Sequence, residues 1–276
     1  MKTPSNIPDA YVEIAEFASR CADAAGAAIL PHFRAAEADN KKQDEGEFDP
    51  VTIADKNAEL AIRALIEAER PNDAILGEEF PDKPGTSGAQ WVLDPIDGTR
   101  AFISGMPTWG TLIGYHDGTR PAFGIMDQSF VGDRFFGWSD GSNGGAALVR
   151  GDTVTPLKTR ACPDISDAIF ACTTHELFRT RHEMAAFVMM LEETKLLRMG
   201  TDCYAYALLA HGLIDVVMES CLKPFDIQAL IPIVQGAGGV ITDWEGGLAD
   251  NSGQVLACGD PTLHNIILEK LKRLPR

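Results

Sequence analysis

The chain has 276 residues, 24 Lys and Arg against 40 Asp and Glu, a net charge of −16, and 45% apolar residues. That length allows a sizeable core in about two domains, and the composition excludes a disordered chain, a collagen-like chain and a coiled coil. The acidic balance argues against nucleic acid, since phosphate contacts need clustered Lys and Arg and the only adjacent lysines are Lys41 and Lys42.

No apolar run approaches the roughly 18 residues of a membrane helix, and the opening MKTPSNIPDAYVEIAEF has no apolar signal core, so a cytoplasmic protein without a membrane partner is expected. Cys21, Cys162, Cys172, Cys203, Cys221 and Cys258 are scattered, without a CxxC pair, and read as buried free thiols of a reducing compartment. The six histidines show no metal-ligand spacing and read as surface or packing residues.

In chain order, Ile14, Ala18, Cys21, Ala25 and Ile29 recur at spacings of three and four and predict a helix over 9–33, with Asp9 after Pro8 as its cap. The polar run EADNKKQDEGEFDP (37–50) reads as a mobile loop that closes, or does not, over a site. A second helix is expected over 52–70. Strands are then expected at 74–76, 91–93, 110–115, 121–128, 133–138 and 146–149, with Asp117-Gly118 and Asp140-Gly141 as turns of antiparallel hairpins. From about residue 155 the pattern alternates: strands at 168–173, 195–199, 214–218, 240–242 and 255–259, helices at 179–193, 202–211, 225–236 and 261–272. The expected division is an N-terminal α+β half, 1–154, and a C-terminal α/β half, 155–276.

The chemistry concentrates in Trp91-Val92-Leu93-Asp94-Pro95-Ile96-Asp97-Gly98-Thr99. A strand delivers Asp94, Pro95 forces a turn, and Asp97 returns beside Asp94. Two carboxylates and the Ile96 carbonyl make a hard oxygen site of the kind Mg²⁺ prefers. Gly98 lets the backbone approach a ligand, and a helix starting at Thr99 would offer the Gly98 and Thr99 amides to an anion. Taken alone, DPIDGT is also compatible with a simple turn of solvated acids. Two further acidic elements stand apart in sequence: Gly77-Glu78-Glu79 after a strand-like run, and Asp226 in Lys223-Pro224-Phe225-Asp226-Ile227, which is also compatible with an ordinary helix cap.

GEE, then DPIDGT, then a distant Asp leading into a helix that ends in GAGG, resembles the inositol monophosphatase-like superfamily of Mg²⁺-dependent phosphatases over nearly the whole chain. The resemblance implies a layered αβαβα sandwich, two or three Mg²⁺ ions, a small phosphate ester as substrate and a homodimer. Position by position, Glu78 resembles the family's first-metal ligand and Asp94 its bridging aspartate. The Ile96 carbonyl resembles the backbone ligand, and Asp97 and Asp226 ligands of the second metal. Thr99 resembles the threonine that helps activate the attacking water, and Asp55 its acidic partner. Phe225 stands where many inositol phosphatases have Trp, a difference that touches substrate choice. The spacing is DxxD followed by GT, unlike the DxD of haloacid-dehalogenase-type phosphatases, and no P-loop, GxSxG or HExxH is present.

RAFISGMPTWGTLIG (100–114), GTDCYAY (200–206) and KPFDIQALIPIVQGAGG (223–239) resemble the histidinol-phosphate phosphatase branch. Histidinol phosphate carries a protonated amine, so a carboxylate near its alcohol end would help to hold it. Asp202, at an expected helix start, fits either that role or an N-cap, and the two can coexist. Glu219 matches the family's substrate-contacting acid. The leading expectation is L-histidinol phosphate hydrolysis by metal-activated water. The alternatives are an inositol-1-phosphate phosphatase or broad phosphomonoesterase and, from another class, a non-catalytic metal- or phosphate-binding regulator.

Overall fold

A computed structural model describes residues 3, 4, 7–34, 38–40 and 50–276, with the backbone alone for 38–40 and 50–52. The run 37–50, and any closure over a site, lies outside the described residues except at its ends. There β1 (Ala38–Asn40) pairs antiparallel with β2 (Pro50–Thr52).

Helices α1 (Asp9–Ile29) and α2 (Ile53–Glu69) form the first layer. Their apolar stripes, among them Phe17, Ala18, Cys21, Ala58 and Ile62, are buried against one face of a seven-stranded sheet. Asp9 is the first residue of α1 rather than its cap; Pro8 takes the cap position and no side chain caps it. The sheet runs β3 (Ala74–Gly77), β4 (Gln90–Asp97), β5 (Gly110–His116), β6 (Pro121–Gln128), β7 (Asp133–Ser139), β8 (Gly144–Arg150) and β9 (Thr153–Pro156), in that order. Only β3 and β4 pair in parallel; every later neighbour is antiparallel. The strand β9 was not expected, and the division at 154/155 falls inside it.

Side chains alternate faces along each strand. Leu93, Ile113, Ile125 and Phe136 meet the first helical layer, while Leu112, Met126 and Phe135 face the middle of the molecule. That middle layer is α5 (Tyr204–Ala210), α6 (Pro224–Ile227) and α7 (Leu230–Gly236). The single helix expected over 225–236 is interrupted because Pro232 has no N–H for the Gln228 carbonyl one turn back.

Helix α7 lies close to the sheet. Gly114, Gly124 and Gly137 are cross-strand partners in one row. A Cβ on Gly124 would stand 1.9 Å from the Ala229 carbonyl oxygen, and one on Gly137 2.2 Å from Ile233 Cα. This glycine row lets the backbone of 229–233 sink on to the strands, and it sets how near the preceding α6 comes to β4.

The second sheet has the order β11-β10-β12-β14-β13: β10 (Ile169–Cys172), β11 (Leu196–Met199), β12 (Val216–Glu219), β13 (Val240–Thr242) and β14 (Val255–Cys258). It is mixed, with β10 parallel to β11 and β12, and β14 antiparallel to β12 and β13. Its outer face is covered by α4 (Arg181–Glu193) and α8 (Pro261–Leu271) through Phe187, Met190, Leu263 and Ile267. Helix pair, sheet, helices, sheet, helix pair is the expected αβαβα sandwich. All six cysteines are free, but Cys221 is exposed rather than buried.

Candidate metal centre and substrate site

Strand β4 does not end at Asp94. Asp94 pairs with Leu112 and Asp97 with Gly110, so three steps on β4 match two on β5. In a regular strand, residues three apart point to opposite faces. The extra residue of this bulge brings Asp94 and Asp97 to the same side, the job that the sequence reading gave to a turn. Pro95 tolerates the bulge because it has no N–H to lose from the ladder. Its carbonyl, displaced from regular pairing, accepts the Thr111 hydroxyl at 2.8 Å.

Three other elements bring carboxylates to this bulge. Asp55 lies in the first turn of α2, Glu78 follows β3, and Asp226 lies on α6. One oxygen from each of Asp55, Glu78 and Asp94 lie within 4.8 Å of one another, and so do oxygens of Asp94, Asp97 and Asp226. Asp94 belongs to both triads.

Neighbouring residues fix these positions. Glu59, one helical turn after Asp55, accepts the Glu79 N–H at 2.7 Å and pairs with Arg63 at 2.7 Å. Arg63 also donates to the Phe80 carbonyl at 3.1 Å. Gly77 must be glycine, since a Cβ would lie 2.1 Å from Glu59 Oε1. The segment bearing Glu78 is thus tied down on the helix that bears Asp55. Asp97 accepts the Cys203 N–H at 2.7 Å, which joins the first sheet to the start of α5. Asp226 is not the cap residue of α6 but its third residue, and its carboxylate accepts the N–H of the cap residue Lys223 at 2.6 Å.

The electrostatics are those of crowded, dry carboxylates. Burial, then Glu78, Asp97, Asp226 and Asp55, holds the Asp94 carboxyl well above the usual range. Burial and Asp226 push Asp97 up to about 7, against hydrogen bonds from Cys203 and Gly98. Burial also raises Asp226 to about 7, against the Lys223 N–H. Asp94 Oδ1 is buried and has no hydrogen-bond partner among the described residues. A set of hard oxygen donors, one of them unsatisfied, with no Lys or Arg among its members, fits hard divalent cations.

Gly98 has φ 85° and precedes α3 (Thr99–Ile103), so the helix does begin at Thr99. The Gly98 N–H is turned toward the Asp97 carboxylate, where it opposes the rise in that acid's pKa. The Thr99 hydroxyl donates to the Ile96 carbonyl at 3.2 Å. A Cβ on Gly98 would stand 3.0 Å from Asp202 Cβ and Cγ, so Asp202 packs directly on this turn.

Asp202 has φ 44° and lies before Cys203, which takes the cap position of α5. Its carboxylate accepts the Thr108 hydroxyl at 3.4 Å instead of capping the helix. Burial, then Asp97, pushes it up to about 7. Glu219, the last residue of β12, accepts the Thr173 N–H at 2.6 Å and hydroxyl at 2.9 Å through Oε1. Burial raises Glu219 to about 8, with Asp202 and Asp97 adding to the rise.

Sequence reasoning missed Glu59, Thr111 and the Cys203 amide. The spacing of Asp55, Glu59 and Arg63, each four apart on one helix face, was a usable signal for Glu59. A backbone amide leaves no such signal.

The sequence matches the inositol monophosphatase family over residues 10–276. It is 38% identical to the bifunctional phosphatase IMPL2, chloroplastic, of Arabidopsis thaliana, over 98% of this chain and 79% of that one. An inositol monophosphatase from Zymomonas mobilis, also 38% identical, superposes with a TM-score of 0.80 over 96% of this chain and all of that one. With this fold and this acidic centre, the chain belongs to the inositol monophosphatase family and is a phosphatase. Within the family it is 32% identical to a histidinol-phosphatase of Streptomyces coelicolor, over 97% of this chain and 99% of that one.

Proposed function

We propose that this chain hydrolyses L-histidinol phosphate to L-histidinol and phosphate with the help of Mg²⁺, a step of histidine biosynthesis. The observation that carries the substrate is the pair Asp202 and Glu219. Two buried carboxylates stand beside the metal centre but outside both triads, where they offer an ammonium or imidazolium group compensation that a neutral polyol would not need. Similarity to histidinol-phosphatases supports the same substrate.

Glu78 and Asp94 would hold one ion, and Asp94, Asp97 and Asp226 another, with the Ile96 carbonyl as a further oxygen donor. When bound, such ions neutralise the ester's charge, acidify water and stabilise the leaving oxygen. The remaining work falls to the chain. The Thr99 hydroxyl donates a hydrogen bond to the Ile96 carbonyl and so leaves its oxygen lone pairs to accept from a water. Asp55, buried at the start of α2, takes up the proton that water loses. The Thr99 amide faces the phosphate, and Asp202 and Glu219 orient the alcohol.

A homodimer is part of the proposal. Met184, Val188 and Leu191 form an exposed apolar stripe on α4, and Leu196 and Met199 expose the neighbouring edge strand β11. The six free thiols support a reducing compartment such as the cytoplasm. Among the described residues, no helix is long and apolar enough to cross a membrane.

A broader phosphomonoesterase is the second reading, favoured by the 38% identity to an inositol monophosphatase. Phosphate release with Mg²⁺ separates the two, comparing kcat/KM for L-histidinol phosphate, inositol-1-phosphate and an aryl phosphate. Strong preference for the first is the expected result; equal rates on all three would replace the substrate, and no release would overturn the catalytic reading.

A further inference from the structure

Glu219 is held on one side only. Thr173 supplies two donors to Oε1, while Oε2 is buried and has no partner among the described residues. A second buried polar atom with no partner among them is the hydroxyl of Tyr206 on α5, the helix that packs on β12. Tyr206 is otherwise part of the apolar middle layer, and its side chain could have been Phe without loss of packing. Burial, then the neighbouring carboxylates of Glu219, Asp97 and Asp226, holds the Tyr206 phenol well above its ordinary range. The phenol oxygen and Glu219 Oε2 are thus two buried oxygens, unpartnered among the described residues, on two elements that pack on each other, α5 and β12. Two buried oxygens without partners destabilise the fold unless something joins them. A single water with two to four polar partners is the usual solution.

We propose that Tyr206 is a positioning residue: its hydroxyl, through one buried water, supports Glu219 Oε2 and so fixes the carboxyl that selects the alcohol half of the substrate. This rests on the substrate reading above for its consequence but not for its structure. Thr173, just after β10, and Tyr206 on α5 would then each hold one oxygen of Glu219. The Glu219 carboxyl would be fixed before substrate arrives, so less ordering remains to be done on binding.

The test is a stability and selectivity cycle on the Mg²⁺-loaded protein with Tyr206→Phe, Glu219→Gln and the double variant. With the bridge, Tyr206→Phe lowers Tm by about 2 °C. The double variant then loses less than the sum of the two single changes. The ratio of kcat/KM for L-histidinol phosphate over inositol-1-phosphate falls about three- to ten-fold in Tyr206→Phe. An unbridged hydroxyl gives the opposite sign: Tyr206→Phe raises Tm or leaves it unchanged, the cycle is additive, and the proposal is overturned. Coupling in Tm with unchanged selectivity overturns the positioning role. If the wild-type chain itself shows no preference for L-histidinol phosphate, the substrate reading fails and the Tm cycle alone decides the bridge. A crystal structure of the Mg²⁺-loaded protein decides it independently of any variant, by whether a water lies within hydrogen-bond distance of both oxygens.

Discussion

Two carboxylates show what burial does and does not determine. Glu183, in the first turn of α4, accepts the Arg179 and Thr180 N–H groups at 2.9 and 2.8 Å through one oxygen. Through the other it accepts Ser220 Oγ at 2.6 Å and Gln254 Nε2 at 2.7 Å. Burial alone would raise its pKa, yet these donors lower it to about 2. Asp94 is as well buried and receives mainly other carboxylates as company, and it is pushed the opposite way. Glu183 is satisfied by the protein and staples α4 to the second sheet. Asp94 is left for something the protein does not contain, which is the difference between a structural and a functional buried acid.

The contrast is most sharply broken at Asp94. Asp94→Asn keeps the size and removes the charge common to both triads. Phosphate-release assays are expected to show kcat/KM down on the order of 10³-fold or more. Mg²⁺ should also no longer raise Tm. Activity within ten-fold of wild type would show that Asp94 is not the shared ligand.

The reverse effect is expected at Glu183. Glu183→Ala strands four donors and should cost about 3 kcal/mol in urea unfolding. The folded fraction should keep its Mg²⁺-dependent turnover. A large loss of turnover in folded protein would mean that α4 communicates with the site.

Acid–base behaviour sharpens the same comparison. Asp97 and Asp226 have pKa values raised to about 7 from the ordinary 3.8, so the metal-free folded state binds their protons more tightly than the unfolded chain does. That contribution is fully present below about pH 4 and is lost as pH rises through about 7. Glu183 has the opposite sign: its contribution is present above the ordinary 4.5 and is lost as pH falls through about 2. Metal-free protein should therefore lose stability from pH 5 to pH 8 in thermal scans, and Mg²⁺ should flatten that slope. An identical slope with and without Mg²⁺ would show that these acids do not hold the ion.

The smallest effect is expected at Asp202. Asp202→Asn should raise KM for L-histidinol phosphate about ten-fold. Hydrolysis of inositol-1-phosphate should change less than two-fold. Equal changes on both substrates would remove the amine contact from Asp202.

Much of the site was legible because its parts are short and chemically unusual. DPIDGT, GEE and the Asp of KPFD each allow another reading alone, but their combination and order along the chain sufficed for the family resemblance. Helix and strand positions were legible from period, as at α2, β6 and α8. The bulge in β4 was not, because residue types alone do not say that three steps on one strand will match two on the next; a Pro between two acids suggested a turn instead. Nor did Asp202 read unambiguously. Its side chain could cap a helix or face a ligand, and the structure puts Cys203 at the cap position and the Asp202 carboxylate on Thr108.

The sequence by itself determined the chemistry available: acids in short distinctive motifs, an αβ alternation, thiols without a CxxC pair. Only the tertiary structure decided that Asp55, Glu78, Asp94, Asp97 and Asp226 meet, because they come from α2, the segment after β3, β4 and α6, and no local preference brings those elements together. The physical agents are long-range ones. The glycine row Gly114–Gly124–Gly137 lets 229–233 sink on to the first sheet, Glu59 ties the Glu78 segment to α2, and the Cys203 amide ties α5 to Asp97. Each depends on the closeness of two backbones, and that distance is set by packing rather than by any single residue.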